Sequence, residues 1–262
     1  MISIRASSLP ELFDCPARWE AKHILGKRLP ASGATQLGTA IHAGAAAFDV
    51  SRINDTGLTV DEAAAAVVDA IYKPEFDVQW DEEKPAEAEK IGIALHRKYC
   101  TQISPVREYV AVEIRCDSLE ITDLGITLTG TIDRLRVTDN GYGITDIKSG
   151  KTAVSASGVV NTSAHGYQLG AYELMAECAS GLRITEKAEI IGVQTGKTDK
   201  AQRIGTGEIS GTREMLLGDG DTHGVLEMAS KIIHSGSFYG NPRSMLCSEK
   251  FCPIFKQCKF KL

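Results

Sequence analysis

Residues 130–148 read GTIDRLRVTDNGYGITDIK, and two β-type runs, 126–137 and 143–147, flank the turn Asp139-Asn140-Gly141. Asn-Gly between apolar runs predicts a hairpin, because both central positions of the tight hairpin turn need φ > 0. Along the first run Ile126, Leu128, Thr129 and Ile132 alternate poorly, the pattern of a strand covered on both faces. The second run sets Asp146 and Lys148 two residues apart, hence on one face. Asp133 lies on the partner run, where an intact hairpin brings it near Asp146. Two carboxylates and one ammonium among apolar flanks are costly to bury unless a cation sits between the carboxylates. The ordinary use of Asp-x-Lys is a surface ion pair, which contributes little.

The flanking sequence supplies more candidates. Residues 36–50, QLGTAIHAGAAAFDV, place Leu37, Ile41, Ala45 and Phe48 on one helical stripe. His42 sits beside Ala43 and Gly44, small residues that let another backbone or a ligand approach. Spacing alone reads it as an ordinary half-buried histidine. Residues 108–116, EYVAVEIRC, form a strand with Val110, Val112 and Ile114 on one face and Ala111, Glu113 and Arg115 on the other. Glu113 is either a solvated strand residue or a further acid near a metal. Residues 165–178 form a helix in which Gln168 and Tyr172, four apart, share a face.

The remaining elements carry structure rather than chemistry. Residues 7–25 read as a helix pair capped by Ser7 or Ser8 and broken at Pro16. Helices over 60–71 and 83–102 complete a helical N-terminal part. A buried strand over 187–194, a weaker one over 202–209 and a helix over 221–236 close the α/β body. Gly196-Lys197-Thr198 lacks the rest of the phosphate-loop spacing, so no nucleotide site is assigned.

At 262 residues, 43% hydrophobic and 24% charged, the chain has the composition of one large globular domain. No apolar run approaches the roughly 18 residues of a membrane span, and the start lacks a secretory h-region. The expectation is a cytoplasmic protein without membrane contact. The net charge of −5 argues against a broad basic nucleic-acid surface and leaves only a local groove.

Seven cysteines in such a chain are not a disulfide framework. Cys100, Cys116 and Cys178 sit singly in apolar or strand-like runs and read as buried free thiols. Cys247, Cys252 and Cys258 crowd the tail, and Cys15 precedes Pro16. Four soft ligands suit either tetrahedral Zn²⁺ or an iron–sulfur cluster.

The pieces GTAIHAG with His42, GTIDRL with Asp133, ITDIKSGK with Asp146 and Lys148, and QLGAY with Gln168 and Tyr172 occur in that order. In this set the chain resembles the PD-(D/E)XK nuclease superfamily, and within it the RecB-like exonucleases. The resemblance implies an α/β restriction-endonuclease-like core, a central mixed sheet flanked by helices, over 106–236. A helical part over 1–105 precedes it, and a cysteine-rich tail over 237–262 follows. It implies that His42, Asp133, Asp146 and the Ile147 carbonyl hold Mg²⁺ or Mn²⁺. Lys148 then stabilises charge, while Gln168 and Tyr172 hold the DNA backbone. Related nucleases also carry a glutamate on the strand of Glu113. One cysteine before the nuclease motifs and three after them resemble AddB-type and CRISPR-associated members. That implies a [4Fe-4S] cluster on Cys15, Cys247, Cys252 and Cys258, with structural Zn²⁺ as the alternative. The expected function is a metal-dependent exonuclease acting at DNA ends in recombination, repair or phage DNA processing. A helicase, recombinase or annealing protein is the expected partner. The competing reading is a catalytically inactive DNA-end-binding or partner-docking module on the same fold.

Overall fold

The computed structural model describes residues 1–80 and 84–261. The chain enters with strand β1 (Ile2–Arg5), then helices α1 (Leu9–Asp14) and α2 (Pro16–His23). The break expected at Pro16 falls on Cys15, whose extended backbone ends one helix and begins the next. The residue before a proline is pushed out of the helical region, so α1 stops there. Ser8 precedes α1 but does not cap it with its side chain. Its hydroxyl instead donates to the Arg5 carbonyl at 2.7 Å and accepts from the Trp19 indole at 3.0 Å.

Next come β2 (Ala31–Ser32), α3 (Gly33–Ile53), α4 (Val60–Tyr72), β3 (Val78–Gln79) and α5 (Pro85–Lys98). Strands β2 and β3 form a small parallel pair of their own. Thr59 and Glu62 close a reciprocal capping box at the start of α4. The helix expected over 83–102 begins at Pro85, residue 83 lying outside the described residues. It runs into a π-helical turn, Tyr99–Ile103.

The main sheet has six strands: β1 with β4 (Glu108–Ile121), β5 (Ile126–Thr138), β6 (Gly141–Gly150), β7 (Ala188–Gln194) and β8 (Ile204–Ile209). β5 is its spine. One edge pairs antiparallel with β4; the other takes parallel β1 and, further along, antiparallel β6. β6 and β7 run parallel, β7 and β8 antiparallel, so the sheet is mixed. The parallel step needs a crossover, supplied by α6 (Gly166–Ser180). Helices α7 (Thr212–Leu217) and α8 (Val225–Ser235) follow.

Every residue of β7 is buried, and its neighbours Ile190 and Ile191 belong to different cores. Ile190 joins the cluster built with α1, α6 and α8, and Ile191 the one built with α3, α4 and α5. Helices therefore cover both faces of the sheet. No helix among the described residues is long and apolar enough to cross a membrane.

Three local expectations change. The hairpin closes on the pair Thr138–Gly141, so its two loop residues are Asp139 and Asn140, neither at positive φ. Only Gly141 departs, at φ 149°, where a Cβ would lie 2.0 Å from Thr185 Oγ1. In β4 the register slips between Tyr109 and Ala111, and the bulged Val110 is 40% exposed, so the expected apolar face is broken there. Strand β1 falls in the stretch read as helical. Only Ile4 of its four residues is buried, too short an alternation to register in the sequence.

Candidate active site

The register of β5 against β6 sets the site. Arg134 pairs with Thr145, which places Asp133 opposite Asp146. The ladder between the strands stops at that pair. The next inward-facing amide, Ile147 N–H, donates instead to Asp133 Oδ2 at 2.8 Å. The strands thus open into a crevice with a carboxylate on either side.

Helix α3 closes the crevice from above. A Cβ at Gly38 would lie 2.7 Å from Ser149 Oγ, so glycine lets the helix sit against β6. One turn later His42 Nδ1 lies 3.3 Å from Asp133 Oδ2. The second small neighbour has a different use than ligand approach: a Cβ at Gly44 would strike Val67 and His96. Glu113 stands across from Asp133, between the pairs Val112–Arg134 and Ile114–Ile132. Its backbone is left-handed at φ 51°, unusual for a glutamate and a local strain. One donor atom each from His42, Glu113 and Asp133 lie within 4.8 Å of one another.

Lys148 Nζ is 2.6 Å from Asp146 Oδ2 and donates to Gln168 Oε1 at 3.0 Å. Apart from this ion pair, Asp146 Oδ2 is buried with no further protein partner among the described residues. The facing carboxylates of Asp133 and Asp146 concentrate negative charge in the crevice, where a cation fits. Tyr172, one turn along α6 from Gln168, packs on Gly130, where a Cβ would meet Met175 and Tyr172 at 3.1 and 3.4 Å.

The electrostatics separate the two acids. Burial works against the Asp133 charge, but His42, the Ile147 N–H and Arg134 outweigh it, and its carboxyl sits below the ordinary range. At Asp146 burial prevails, the Asp133 charge adds to it, Lys148 offsets only part, and the carboxyl is raised. Burial opposes a charge on His42, yet Asp133 overrides it and raises the imidazole. His165, which the sequence did not single out, is pushed down to about 4 by burial and the nearby Lys148 charge, so it is neutral near pH 7.

Arg134 fixes this cluster from beneath and also escaped the sequence reading. It is fully buried, pairs with the fully buried Asp49 of α3 at 2.8 Å, and donates to the Asp133 carbonyl at 2.8 Å. Asp49 also accepts from Tyr99 and Ser104. The partners are 85 residues apart, which no local pattern reveals.

Away from the acids, Cys15, Cys247, Cys252 and Cys258 line one cavity, together with Arg18 and Asn241. The Asn241 N–H points at Cys15 Sγ at 3.4 Å, and its side-chain amide donates to the Asp14 carbonyl. Arg18 bridges Glu11, Asp14 and Ser244. Cys100 and Cys116 are buried as expected, whereas Cys178 is exposed.

Glu11 anchors this corner. Burial opposes its charge, but hydrogen bonds from His23, Lys22 and Arg18 hold the carboxyl at about 2. A depressed carboxylate contributes stability above its ordinary pKa of about 4.5 and loses it as pH falls towards 2. Glu11→Gln is therefore expected to cost roughly 2–3 kcal/mol at pH 7. Denaturant melts should show that gap closing as the pH is lowered from 5 towards 2.

A family model of the PD-(D/E)XK nuclease superfamily matches residues 3–259, and the chain belongs to that superfamily. Nucleases of this class use divalent metals. The fold is also that of a crystal structure from Eubacterium rectale described as "Putative exonuclease". The two align with a TM-score of 0.50 and 13% identity over 89% of this chain and 82% of that one. No curated protein matches the chain.

Proposed function

We propose that the chain is a metal-dependent DNA exonuclease, hydrolysing phosphodiester bonds at DNA ends. The observation that carries this reading is the pair of buried carboxylates, Asp133 and Asp146, facing each other across an opened hairpin with the Lys148 ammonium beside them. Asp133, Asp146 and His42, with Glu113 at the rim, offer hard oxygens and one imidazole, a donor set that fits Mg²⁺ or Mn²⁺. In a strand the N–H and C=O of one residue point to the same side, so the Ile147 carbonyl joins its amide in the crevice. Such an ion lowers the pKa of a water and neutralises charge on the phosphate.

The chain's own residues do the rest. Gln168 holds the Lys148 ammonium beside Asp146, where it stabilises negative charge developing on the phosphate. His165, neutral beside Lys148, leaves that ammonium the only cation facing the phosphate from α6 and β6. Burial raises Tyr172, with Asp146 adding to it, so its phenol stays protonated and donates to a phosphate oxygen. End-labelled single- and double-stranded DNA with Mg²⁺, Mn²⁺ or EDTA is the direct test. Cleavage that EDTA leaves unchanged, or none with either ion, overturns the proposal. Binding without cleavage favours the docking-module alternative. Unwinding requires a partner such as a helicase, with a recombinase or annealing protein as the other candidates.

The four cysteines are proposed to hold a [4Fe-4S] cluster, joining the tail to Cys15. What supports a shared metal group is that all four line one cavity. Anaerobically purified protein is expected to be brown, with about four irons per chain. Cys252→Ala should lose the iron and lower the thermal midpoint, since ligand bonds contribute directly to folding. A colourless protein with one zinc refutes the cluster.

A further inference from the structure

Two clefts meet beside the acids. One, of about 770 Å³, runs past His42 and Glu113; the next, of about 660 Å³, reaches Arg28. They share Ser32, Thr35, Lys250 and Phe251, so they form one continuous path. Phe251 is 46% exposed at the junction, and it precedes the buried Cys252. Its amide and that of Cys252 both donate to the Ser248 carbonyl, which fixes the backbone that carries the ring. The Lys250 ammonium stands 5.7 Å from the ring centre. Arg28 is exposed and makes no ion pair among the described residues. Lys22, the other cation on this wall, is taken up by Glu11, and the acid Glu249 is paired with Lys256.

An exposed aromatic face flanked by free cations binds unpaired bases and their phosphates; a duplex keeps its bases stacked on each other. In a chain of net charge −5, Lys250 and Arg28 place two positive charges along this path. Resting on the nuclease reading above, we infer that the substrate end is single-stranded. One strand runs from the acids along this path and stacks a base on Phe251, while Lys250 and Arg28 hold adjacent phosphates.

The test uses full-length protein, oligothymidylate and a blunt duplex, with Ca²⁺ replacing Mg²⁺ and binding read by fluorescence anisotropy. Phe251→Ala and Phe251→Leu are expected to weaken oligothymidylate binding roughly 5- to 100-fold. Phe251→Tyr should keep it, and duplex binding should change less than twofold. A 2-aminopurine oligonucleotide should be quenched by wild type and not by Phe251→Ala. Arg28→Gln and Lys250→Gln should each reduce the salt slope for single strands by about 0.7. Unchanged thermal midpoints exclude misfolding as the cause.

Wild-type single-strand affinity in Phe251→Ala, or equal losses on duplex, overturns the strand path. Metal-dependent cleavage in that same variant would leave the nuclease reading standing. Absence of both cleavage and nucleic-acid binding in wild type removes the two together.

Discussion

Asp146→Asn is expected to lower divalent-dependent cleavage by about 10³-fold or more, because several kcal/mol of metal-borne charge stabilisation are lost. The same change should leave the thermal midpoint of metal-free protein unchanged or raised. Burial and the facing Asp133 charge make the ionised Asp146 unfavourable in the folded state. An amide of the same shape removes that repulsion. Opposite signs for activity and stability mark a functional acid; a structural one loses both together. Lys148→Met should cost about 10²–10³ in turnover, the loss of one preorganised donor. Single-turnover cleavage and thermal melts on the same preparations decide the matter. Undiminished cleavage by Asp146→Asn contradicts the assigned role.

The second large effect lies beneath the site. Arg134→Met should destabilise the protein by about 3–5 kcal/mol, because Asp49 is left charged and wholly buried. For a chain of this size that corresponds to a thermal midpoint lower by roughly 10 °C. Arg134 Nη2 finds no acceptor, so the network is not ideal for stability in the first place. The double variant Asp49→Leu/Arg134→Met should therefore recover most of the loss. Its activity should remain low, since the Asp133 carbonyl has lost the guanidinium that holds it. A double variant as unstable as the single one argues that the pair itself supplies the stability.

The hairpin that carries Asp133 and Asp146 was legible because two-residue periodicity and a turn dipeptide act within twenty residues. The helix carrying Gln168 and Tyr172 was legible from its spacing, and the crowding of Cys247, Cys252 and Cys258 in the tail from the sequence itself, whereas their meeting with Cys15 at one cavity is a contact distant in sequence. What stayed hidden depends on contacts distant in sequence. Asp49 and Arg134 look like an ordinary helix acid and strand base until the fold sets them together. The left-handed backbone at Glu113 and the slip at Val110 reflect strain and register imposed by β5, and neither leaves a local signature. Helix α7, six residues long, was missed because it holds too few turns to show a periodicity. The turn was misplaced by one residue because Thr138 donates to the Gly141 carbonyl and accepts from the Asn140 N–H, drawing Gly141 into the strand.

His42 reaches the acids from α3, which shares one core with Ile147 of β6, while Ile144 of the same strand belongs to the other core. An ion held by His42 and the acids would tie that helix to the sheet. Occupancy at a hundred times the dissociation constant then adds about 2.7 kcal/mol to the folded state. Metal preference can accordingly be ranked by differential scanning fluorimetry across a panel of salts, before any DNA is added.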